Sequence, residues 1–109
     1  MTSSLTEKRC QACKPGTPAL TKSEIAKLLP QIPGWKQKAG EISKTYEFKD
    51  FHGTMEFVNA VAWISHREDH HPDMKVSYNK CEVHYSTHSV KGLSENDFIC
   101  AAKVNALLG

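Results

Sequence analysis

The amino-acid sequence predicts an α+β domain, in which a four-stranded antiparallel sheet carries three helices packed on one face. Two observations lead to this prediction. Hydrophobic periodicity gives the element order α-β-β-α-β-β-α, and strands joined by short turns pair antiparallel while helices cover one side of the sheet. The chain has 109 residues, which suits one domain with one hydrophobic core.

Residues 1–19 are predicted to be a flexible leader, and residues 20–109 a single domain. The leader contains Pro15, Gly16 and Pro18 and shows no apolar period, which is typical of a segment without helix or strand. The first helix is predicted to begin at a capping box formed by Thr21 and Glu24. Its apolar stripe and the residues that end it are Ile25, Leu28 and Leu29, then Pro30, Pro33 and Gly34.

Two short strands are predicted next, over residues 35–38 and 42–48, with a turn at Ala39-Gly40. Because side chains alternate along a strand, one face of the second strand carries Ile42, Lys44, Tyr46 and Phe48. The lysine interrupts an otherwise apolar face, which an edge strand or a partly exposed strand tolerates.

The longest helical signal follows Asp50, a good N-cap, and runs from residue 51 to roughly residue 69. Its apolar arc is wider than packing on one sheet requires, and Phe51 and Trp63 widen it further. We therefore expect this helix to pack on the sheet with one side and on a partner subunit with the other. The alternative is a deeply buried helix.

This helix is expected to end near His70 and His71, because the residue before Pro72 is driven out of the α conformation. Both histidines thus stand where the chain changes direction, a common location for functional side chains.

The third and fourth strands are predicted around residues 74–79 and 81–88, with a hairpin turn at Asn79-Lys80. Alternation places His84 and His88 on the face opposite the apolar row, if the fourth strand stays regular to its end.

Gly92 then breaks the chain. A second capping box, formed by Ser94 and Asp97, is predicted to start the last helix, and Phe98, Ala101, Ala102, Asn105 and Leu108 follow at helical spacing.

Composition excludes several classes of protein. The formal net charge is +2, which is too balanced to indicate a nucleic-acid or membrane-surface partner. No apolar run approaches the roughly 20 residues that span a bilayer, and the N-terminus lacks the apolar segment of a signal peptide. The expected compartment is therefore the cytoplasm.

The four cysteines are expected to be free thiols in that compartment. Cys10 and Cys13 have the spacing of half a zinc knuckle, but no second pair follows at finger distance, so a structural zinc site has weak support.

Residues 66–97 hold five of the six histidines, which indicates either metal binding or proton transfer. His66 and His70 have an i,i+4 helical spacing that suits a divalent ion, but a third ligand would have to come from His71, His84 or His88. Nucleophilic hydrolysis is not favoured, because the chain has no G-x-S-x-G elbow. Acid–base catalysis fits better, since imidazoles can protonate a leaving hydroxyl and remove a proton elsewhere on the same molecule, as a dehydration demands.

The same stretch resembles the signature of the pterin-4a-carbinolamine dehydratase family, whose animal members are also dimerisation cofactors of a homeodomain transcription factor. The resemblance covers roughly residues 20–108 and rests on five separated elements in the predicted order. They are His70-His71-Pro72, Tyr78-Asn79-Lys80, Ser86-Thr87-His88, Gly92-Leu93 and Asp97. The Cys-x-x-Cys leader resembles bacterial members more loosely.

The resemblance implies a hydro-lyase that converts a 4a-hydroxytetrahydropterin to quinonoid dihydropterin and water, without metal or organic cofactor. This reaction supports tetrahydrobiopterin recycling for aromatic amino acid hydroxylation, so a hydroxylase is an implied partner beside the pterin substrate and a homodimer or homotetramer formed through residues 51–69. The pterin side chain, biopterin or monapterin, stays open. The alternative function is a protein-binding module with a secondary pterin site.

The resemblance also implies roles for individual residues. His70 and His88 are the implied acid–base pair, with the choice of acid and base left open, and His71 joins the catalytic group by packing against and orienting the pterin. The implied substrate-binding residues are His71, Pro72, Thr87, His88, Ser89 and Asp97.

Two of the signature positions carry alternatives. Asp97 has a competing structural role as the N3 residue of a capping box. It serves both the helix and the substrate site if it also holds a histidine. Family members often carry a glutamate where this chain has His66, and the neighbours Glu68 and Asp69 are candidates to replace it.

Overall fold

The computed structural model describes residues 5–14 and 16–108. Within these residues it contains three α-helices and four strands, and the predicted α+β class is confirmed. In chain order the elements are α1 (Lys22–Leu28), β1 (Lys36–Lys38), β2 (Glu41–Glu47), α2 (Phe51–Glu68), β3 (Asp73–Val76), β4 (Lys80–Tyr85) and α3 (Glu95–Ala106), with short 3-10 helices at Leu5–Glu7, Leu29–Gln31 and His88–Val90.

Each α-helix starts at the side-chain cap that the sequence predicts. Glu24 N donates to Thr21 Oγ1 at 3.2 Å and Thr21 N donates to Glu24 Oε1 at 2.8 Å, while Gly53 N donates to Asp50 Oδ1 at 2.9 Å. The capping box of Ser94 and Asp97 is also present. Such caps contribute about 0.5–2 kcal/mol each by satisfying N–H groups that a helix leaves unpaired.

The four strands form one antiparallel sheet in the order β1-β2-β4-β3. Its central strand β4 buries alternate residues, and these meet apolar side chains of α2 and α3; the shared core includes Ile42, Tyr46, Cys81, Val83, Tyr85, Phe57, Val61, Phe98 and Ile99. Burying a large apolar side chain contributes about 1.5–3 kcal/mol, so this layer holds both helices on one face of the sheet.

The hairpin between β3 and β4 turns earlier than expected. Ser77 N donates to Lys80 O at 2.9 Å, so Tyr78 and Asn79 form the tip and the predicted turn at Asn79-Lys80 is wrong by one residue. The turn residues there lack the glycine that favours a single register.

Lys44 lies on the interior strand β2 and is partly exposed, so of the two alternatives the partly exposed strand is correct and the edge strand is not. Its ammonium group donates to Pro33 O at 3.2 Å and to Asn105 Oδ1 at 3.1 Å, and it lies 4.7 Å above the centre of the Tyr46 ring. Gly34, with φ of +88°, makes room, because a Cβ there would approach Lys44 Nζ to 2.8 Å. Two carbonyls and an aromatic face thus replace water around this cation.

The segment that the sequence assigns to a flexible leader is packed against the folded body over residues 5–13. Leu5 is only 3% exposed. Lys8 Nζ contacts Glu95 Oε2 at 2.7 Å, and Cys10 N donates to Glu68 Oε1 at 2.8 Å. These contacts join the segment to α2 and α3, which periodicity could not reveal. Residues 1–4 and 15 of the predicted leader lie outside the described part of the chain.

Among the described residues, no helix is both long enough and apolar enough to cross a membrane.

Candidate active site

A cavity of about 250 Å³ lies where the ends of α2 and β4 meet. The residues that line it come from two segments: Asp69, His70, His71 and Asp73 follow α2, and His84 with Ser86, Thr87, His88 and Ser89 close β4. The structure therefore brings together the three histidines to which the sequence assigns catalysis. A larger cleft of about 550 Å³ elsewhere, beside Lys44 and Asn105, is lined by no histidine.

The end of α2 delivers the first two histidines. Asp69 adopts a left-handed backbone with φ of 53° and ends the helix, and its N–H and that of His70 both donate to Ser65 O. A left-handed residue just past the last turn is a common way to end a helix. The two following histidines thus leave the helix axis and turn into the cavity, as the position of Pro72 predicts.

His70 is fixed by a buried carboxylate. Its Nε2 lies 2.6 Å from Asp97 Oδ1, with the His70 side chain 15% exposed and the Asp97 side chain fully buried. The imidazole also stacks on the Tyr85 ring, with centroids 5.7 Å apart and planes inclined by 16°. Burial raises the pKa of the Tyr85 phenol far above its usual range, so this ring is a neutral platform.

Asp97 combines the two roles that the sequence left in competition. Oδ1 meets His70, while Oδ2 accepts from Ser94 N at 2.9 Å and from Thr87 Oγ1 at 2.8 Å. Ser94 Oγ and Thr87 Oγ1 are 2.7 Å apart, which closes the network. One carboxylate therefore caps α3, ties it to the end of β4 and orients the imidazole.

This contact decides which nitrogen of His70 is available for proton transfer. An ionised carboxylate can only accept, so it selects the tautomer in which Nε2 carries the proton. Nδ1 is then left to gain or lose a proton, and the carboxylate stabilises the imidazolium that forms when Nδ1 gains one. The arrangement is that of a general base with an orienting acid behind it.

His71 and His88 are exposed and line the cavity. His71 Nδ1 lies 3.2 Å from Pro72 O, and since a carbonyl only accepts, Nε2 is the nitrogen left without a proton in the neutral ring.

The structure corrects the placement of His88. The strand ends at Tyr85, and His88–Val90 forms a 3-10 turn closed by Thr87 N donating to Gly92 O at 2.8 Å. His88 is thus presented by a turn, and alternation along β4 does not govern its direction.

Two implied substrate-binding residues lie behind the cavity wall. Pro72 and Asp97 are both buried, and neither lines the cavity. Thr87 and Ser89 both line it. Thr87 is buried, and its hydroxyl is used in the Asp97 network.

His66 points away from this site. Its ring stacks on Trp63 on the exposed side of α2, with centroids 5.9 Å apart, so the sequence pair of His66 and His70 does not converge. Of the carboxylates proposed to replace the family's glutamate, Glu68 is buried against Cys10, Lys103 and Arg9, whereas Asp69 lines the cavity.

His84 is a wall residue that the sequence treated mainly as solvated. Its Nδ1 lies 2.9 Å from Glu41 Oε1 and its Nε2 lies 2.7 Å from Glu82 Oε1. Partial burial lowers the pKa of His84, but the hydrogen bonds to Glu41 and Glu82 outweigh burial and raise it above the usual value. Asp73, its cross-strand partner, also lines the cavity. Alternation along β4, which places His84 and His88 on one face, was the sequence signal that His84 lies near the site. The pairing of β4 with β3 could not be predicted from the local sequence.

Across residues 5–14 and 16–108, no three His, Cys, Asp or Glu side chains are grouped in a way that could hold a metal ion. Cys10 and Cys13 make different contacts, with Cys100 and Asn96 respectively.

Comparison with known proteins gives a consistent result. A family model described as pterin 4 alpha carbinolamine dehydratase matches residues 18–107. A Nitrosomonas eutropha protein, named for an inferred pterin-4-alpha-carbinolamine dehydratase activity, is 56% identical over 105 residues, covering 95% of this chain and 93% of the relative.

Solved structures agree at the level of the fold. A Brucella melitensis protein described as a transcriptional coactivator/pterin dehydratase superposes with a TM-score of 0.80 at 34% identity, covering 84% of this chain and 99% of that one. A pterin dehydratase-like RuBisCO assembly factor of the α-carboxysome has a TM-score of 0.58 at 22% identity over 69% of this chain and 87% of its own, and this likeness concerns the fold alone.

Proposed function

This chain belongs to the pterin-4a-carbinolamine dehydratase family, and we propose that it removes water from a 4a-hydroxytetrahydropterin by acid–base catalysis with histidine side chains. The family match makes it a dehydratase, a hydro-lyase. The observation that carries the histidine mechanism is the 2.6 Å contact of His70 with the buried Asp97 in a cavity that His71 and His88 also line.

The reaction needs the enzyme to donate one proton to the substrate and to remove another proton from it. Cleaving the C4a–O bond requires protonation of the departing hydroxyl, and forming the C4a–N5 double bond requires loss of the N5 proton. Together the two transfers release one water and leave the net proton count unchanged. Imidazoles, with an unperturbed pKa of about 6.5, can serve both steps near neutral pH.

We assign His70 as the base for the N5 proton. Its contact with Asp97 favours accumulation of positive charge on the ring, which is what a base needs as it accepts a proton. His88 is exposed and carried by a turn, so it can exchange protons with solvent and serve as the acid at the hydroxyl. His71 beside them orients the pterin. These steps require only proton carriers, so no metal or organic cofactor enters the mechanism.

The direct test is to generate the 4a-carbinolamine and follow its decay by ultraviolet absorbance with and without the protein. We expect the protein to accelerate the decay at catalytic concentrations. A decay rate that stays at the uncatalysed value would contradict the dehydratase assignment, whatever the state of the histidines.

The biological setting is the finer part of the proposal. We infer that the product serves recycling of a tetrahydropterin used in aromatic amino acid hydroxylation, with the hydroxylase as a partner reaction and the cytoplasm as its compartment. This inference rests on the reaction, because a 4a-hydroxypterin is what such hydroxylation leaves behind. Supply of the substrate by a coupled hydroxylase, with and without this protein, tests it through the rate of cofactor turnover.

A second role is supported by the outer side of α2. On α2, Phe51 and Trp63 are 48% and 61% exposed, and large apolar side chains left in water are candidates for burial against another protein. We propose that this side of α2 pairs with a second copy of the chain, as the width of its apolar arc predicts. In the alternative function, the same side binds another protein and the pterin site is secondary.

A further inference from the structure

The N-terminal segment places two thiols in contact. Cys10 Sγ lies 3.5 Å from Cys100 Sγ, although the two residues are 90 positions apart. Cys100 is fully buried on α3, whereas Cys10 is partly exposed on irregular backbone. The pterin chemistry proposed above uses neither thiol, and the two form a separate reactive group in the molecule.

The backbone of Cys10 is anchored where the two thiols meet. Its N–H donates to Glu68 Oε1 at 2.8 Å, and the other oxygen of Glu68 lies 3.3 Å from Arg9 Nε and 3.4 Å from Lys103 Nζ. Cys10 Sγ also lies 3.7 Å from Asn96 O. These contacts keep the sulfur of Cys10 against α3, so the two thiols are held close together in the folded protein.

We propose that Cys10 and Cys100 are a redox-modification site, which forms a reversible disulfide by exchange with a low-molecular-weight disulfide such as oxidised glutathione. Cys10 thiolate attacks one sulfur of the glutathione disulfide and releases one glutathione thiol. Cys100 thiolate then attacks Cys10 Sγ in the mixed disulfide and releases the second. The protein loses two protons and two electrons, and one glutathione disulfide takes them up to become two glutathione thiols.

The order of attack follows from the surroundings of each thiol. The hydrogen bond with Cys10 and then burial raise the pKa of Cys100 far above its ordinary value, so Cys100 stays a thiol while Cys10 is reduced. Cys10 is the one that solvent reaches, and it therefore meets the incoming disulfide first. Once glutathione occupies Cys10, that hydrogen bond is gone, so the largest influence that holds Cys100 as a thiol is removed.

Cys100, and not the nearby Cys13, is the expected partner. Cys13 Sγ accepts from Asn96 Nδ2 at 3.9 Å. A disulfide needs the sulfurs at about 2.05 Å, so Cys10 and Cys100 must approach by about 1.5 Å. Cys10 is partly exposed and lies outside any helix or strand, so a small movement of its side chain can close this gap while its N–H stays bonded to Glu68.

The bond would fasten the N-terminal segment to α3. A cross-link that closes so long a loop stabilises the folded state, chiefly by restricting the unfolded chain. We expect the Tm of the oxidised protein to rise by at least about 5 °C, and the rise to be reversed by dithiothreitol.

The experiment treats the full-length protein with oxidised glutathione, quenches free thiols by alkylation and maps peptides by mass spectrometry. We expect a Cys10–Cys100 linked peptide in the wild type and in the matched control Cys13→Ser, and none in Cys10→Ser or Cys100→Ala. Circular dichroism establishes that each variant is folded. If Cys100→Ala does not fold, Cys10→Ser still tests the proposal, because Cys10 is partly exposed and its replacement should not disturb the core.

A Cys10–Cys13 link in place of the expected one would overturn the proposal. So would a stable glutathione adduct on Cys10 that Cys100 does not resolve, or a Cys10–Cys100 link that forms only in denaturant. If the oxidised protein had an unchanged Tm, the disulfide would not be stabilising the docked N-terminal segment, and the proposal would be refuted.

Discussion

Asp97 meets His70 through one carboxylate oxygen, at 2.6 Å, and caps α3 through the other, at 2.9 Å from Ser94 N. A helix cap and the orientation of an imidazole thus depend on the same side chain. Since Asp97 is fully buried, neither contact is weakened by competing water.

Asp97→Asn should separate orientation from capping. An amide retains one acceptor oxygen but cannot accept from both His70 and the helix end, so the imidazole loses its preferred tautomer. We expect kcat to fall by about 10²–10⁴-fold, with a loss of about 1–3 kcal/mol in the free energy of unfolding. Steady-state kinetics and urea denaturation measure the two effects.

Asp50→Ala is the matched control, because it removes a carboxylate cap at the start of α2, far from the cavity. It should cost about 0.5–2 kcal/mol in stability and leave kcat unchanged. Equal kcat losses in the two variants would mean that Asp97 acts only through stability.

The histidines should differ in the kinetic parameter that they control. His70→Gln and His88→Gln remove a proton carrier and should lower kcat by about 10²–10⁴-fold with little change in fold. His71→Gln should mainly raise KM, because His71 orients the pterin. Initial rates over a range of 4a-carbinolamine concentrations separate the two outcomes.

His66→Gln is the control for these three variants, since His66 stacks on Trp63 away from the cavity. Its kinetics should match those of the wild type. A kcat loss confined to His71→Gln would reverse the assignment of roles.

His84 should make stability depend on pH. Its folded-state pKa is raised by the hydrogen bonds to Glu41 and Glu82, against the opposing effect of burial. Its contribution is therefore fully present below the unfolded pKa of about 6.5 and is lost as the pH rises through the higher folded value.

His84→Gln should consequently lower the free energy of unfolding most at about pH 6 and progressively less above pH 6.5. Urea denaturation at several pH values measures this. The control His52→Gln changes an exposed histidine at the start of α2, away from Glu41 and Glu82, and should give a small difference. A His84→Gln difference that grows with pH would contradict the sign of the shift.

The assembly of the protein should depend on the outer side of α2. We expect light scattering to show a dimer or tetramer for the wild type, and Trp63→Lys to shift the protein to monomer, because a charge there opposes burial of the apolar side. Tyr78→Lys is the matched control: Tyr78 is also a highly exposed aromatic, at 63%, but it lies in the hairpin between β3 and β4. Dissociation by Tyr78→Lys alone would move the interface from α2 to the sheet edge.

What the sequence could predict was set by how locally each feature is encoded. The caps at Thr21, Asp50 and Ser94 need only a three-residue spacing, and all three were found. The end of α2 before Pro72 follows equally from local sterics. Alternation along β4 identified its buried face correctly, because that strand is interior.

Features that depend on distant contacts were not readable. The sequence allowed Asp97 to hold a histidine, but that this histidine is His70 depends on how α3 packs against the ends of α2 and β4. The docking of Leu5 and Cys10 likewise requires a surface built by α2 and α3. His84 was underestimated because its carboxylate partners include Glu41, which comes from another strand. The turn that carries His88 is held by Gly92, and nothing in the strand pattern foretells it.

The network around Asp97 also has a consequence for fluctuations of the native state. The first turn of a helix is where fraying begins, and here fraying would withdraw the carboxylate from His70, Thr87 and Ser94 together. Each such opening would leave the sheet intact, but the His70 imidazole would lose the carboxylate that orients it. Amide hydrogen exchange at Asp97, whose N–H donates to Ser94 O at 3.1 Å, would therefore report how large a fraction of folded molecules is momentarily inactive.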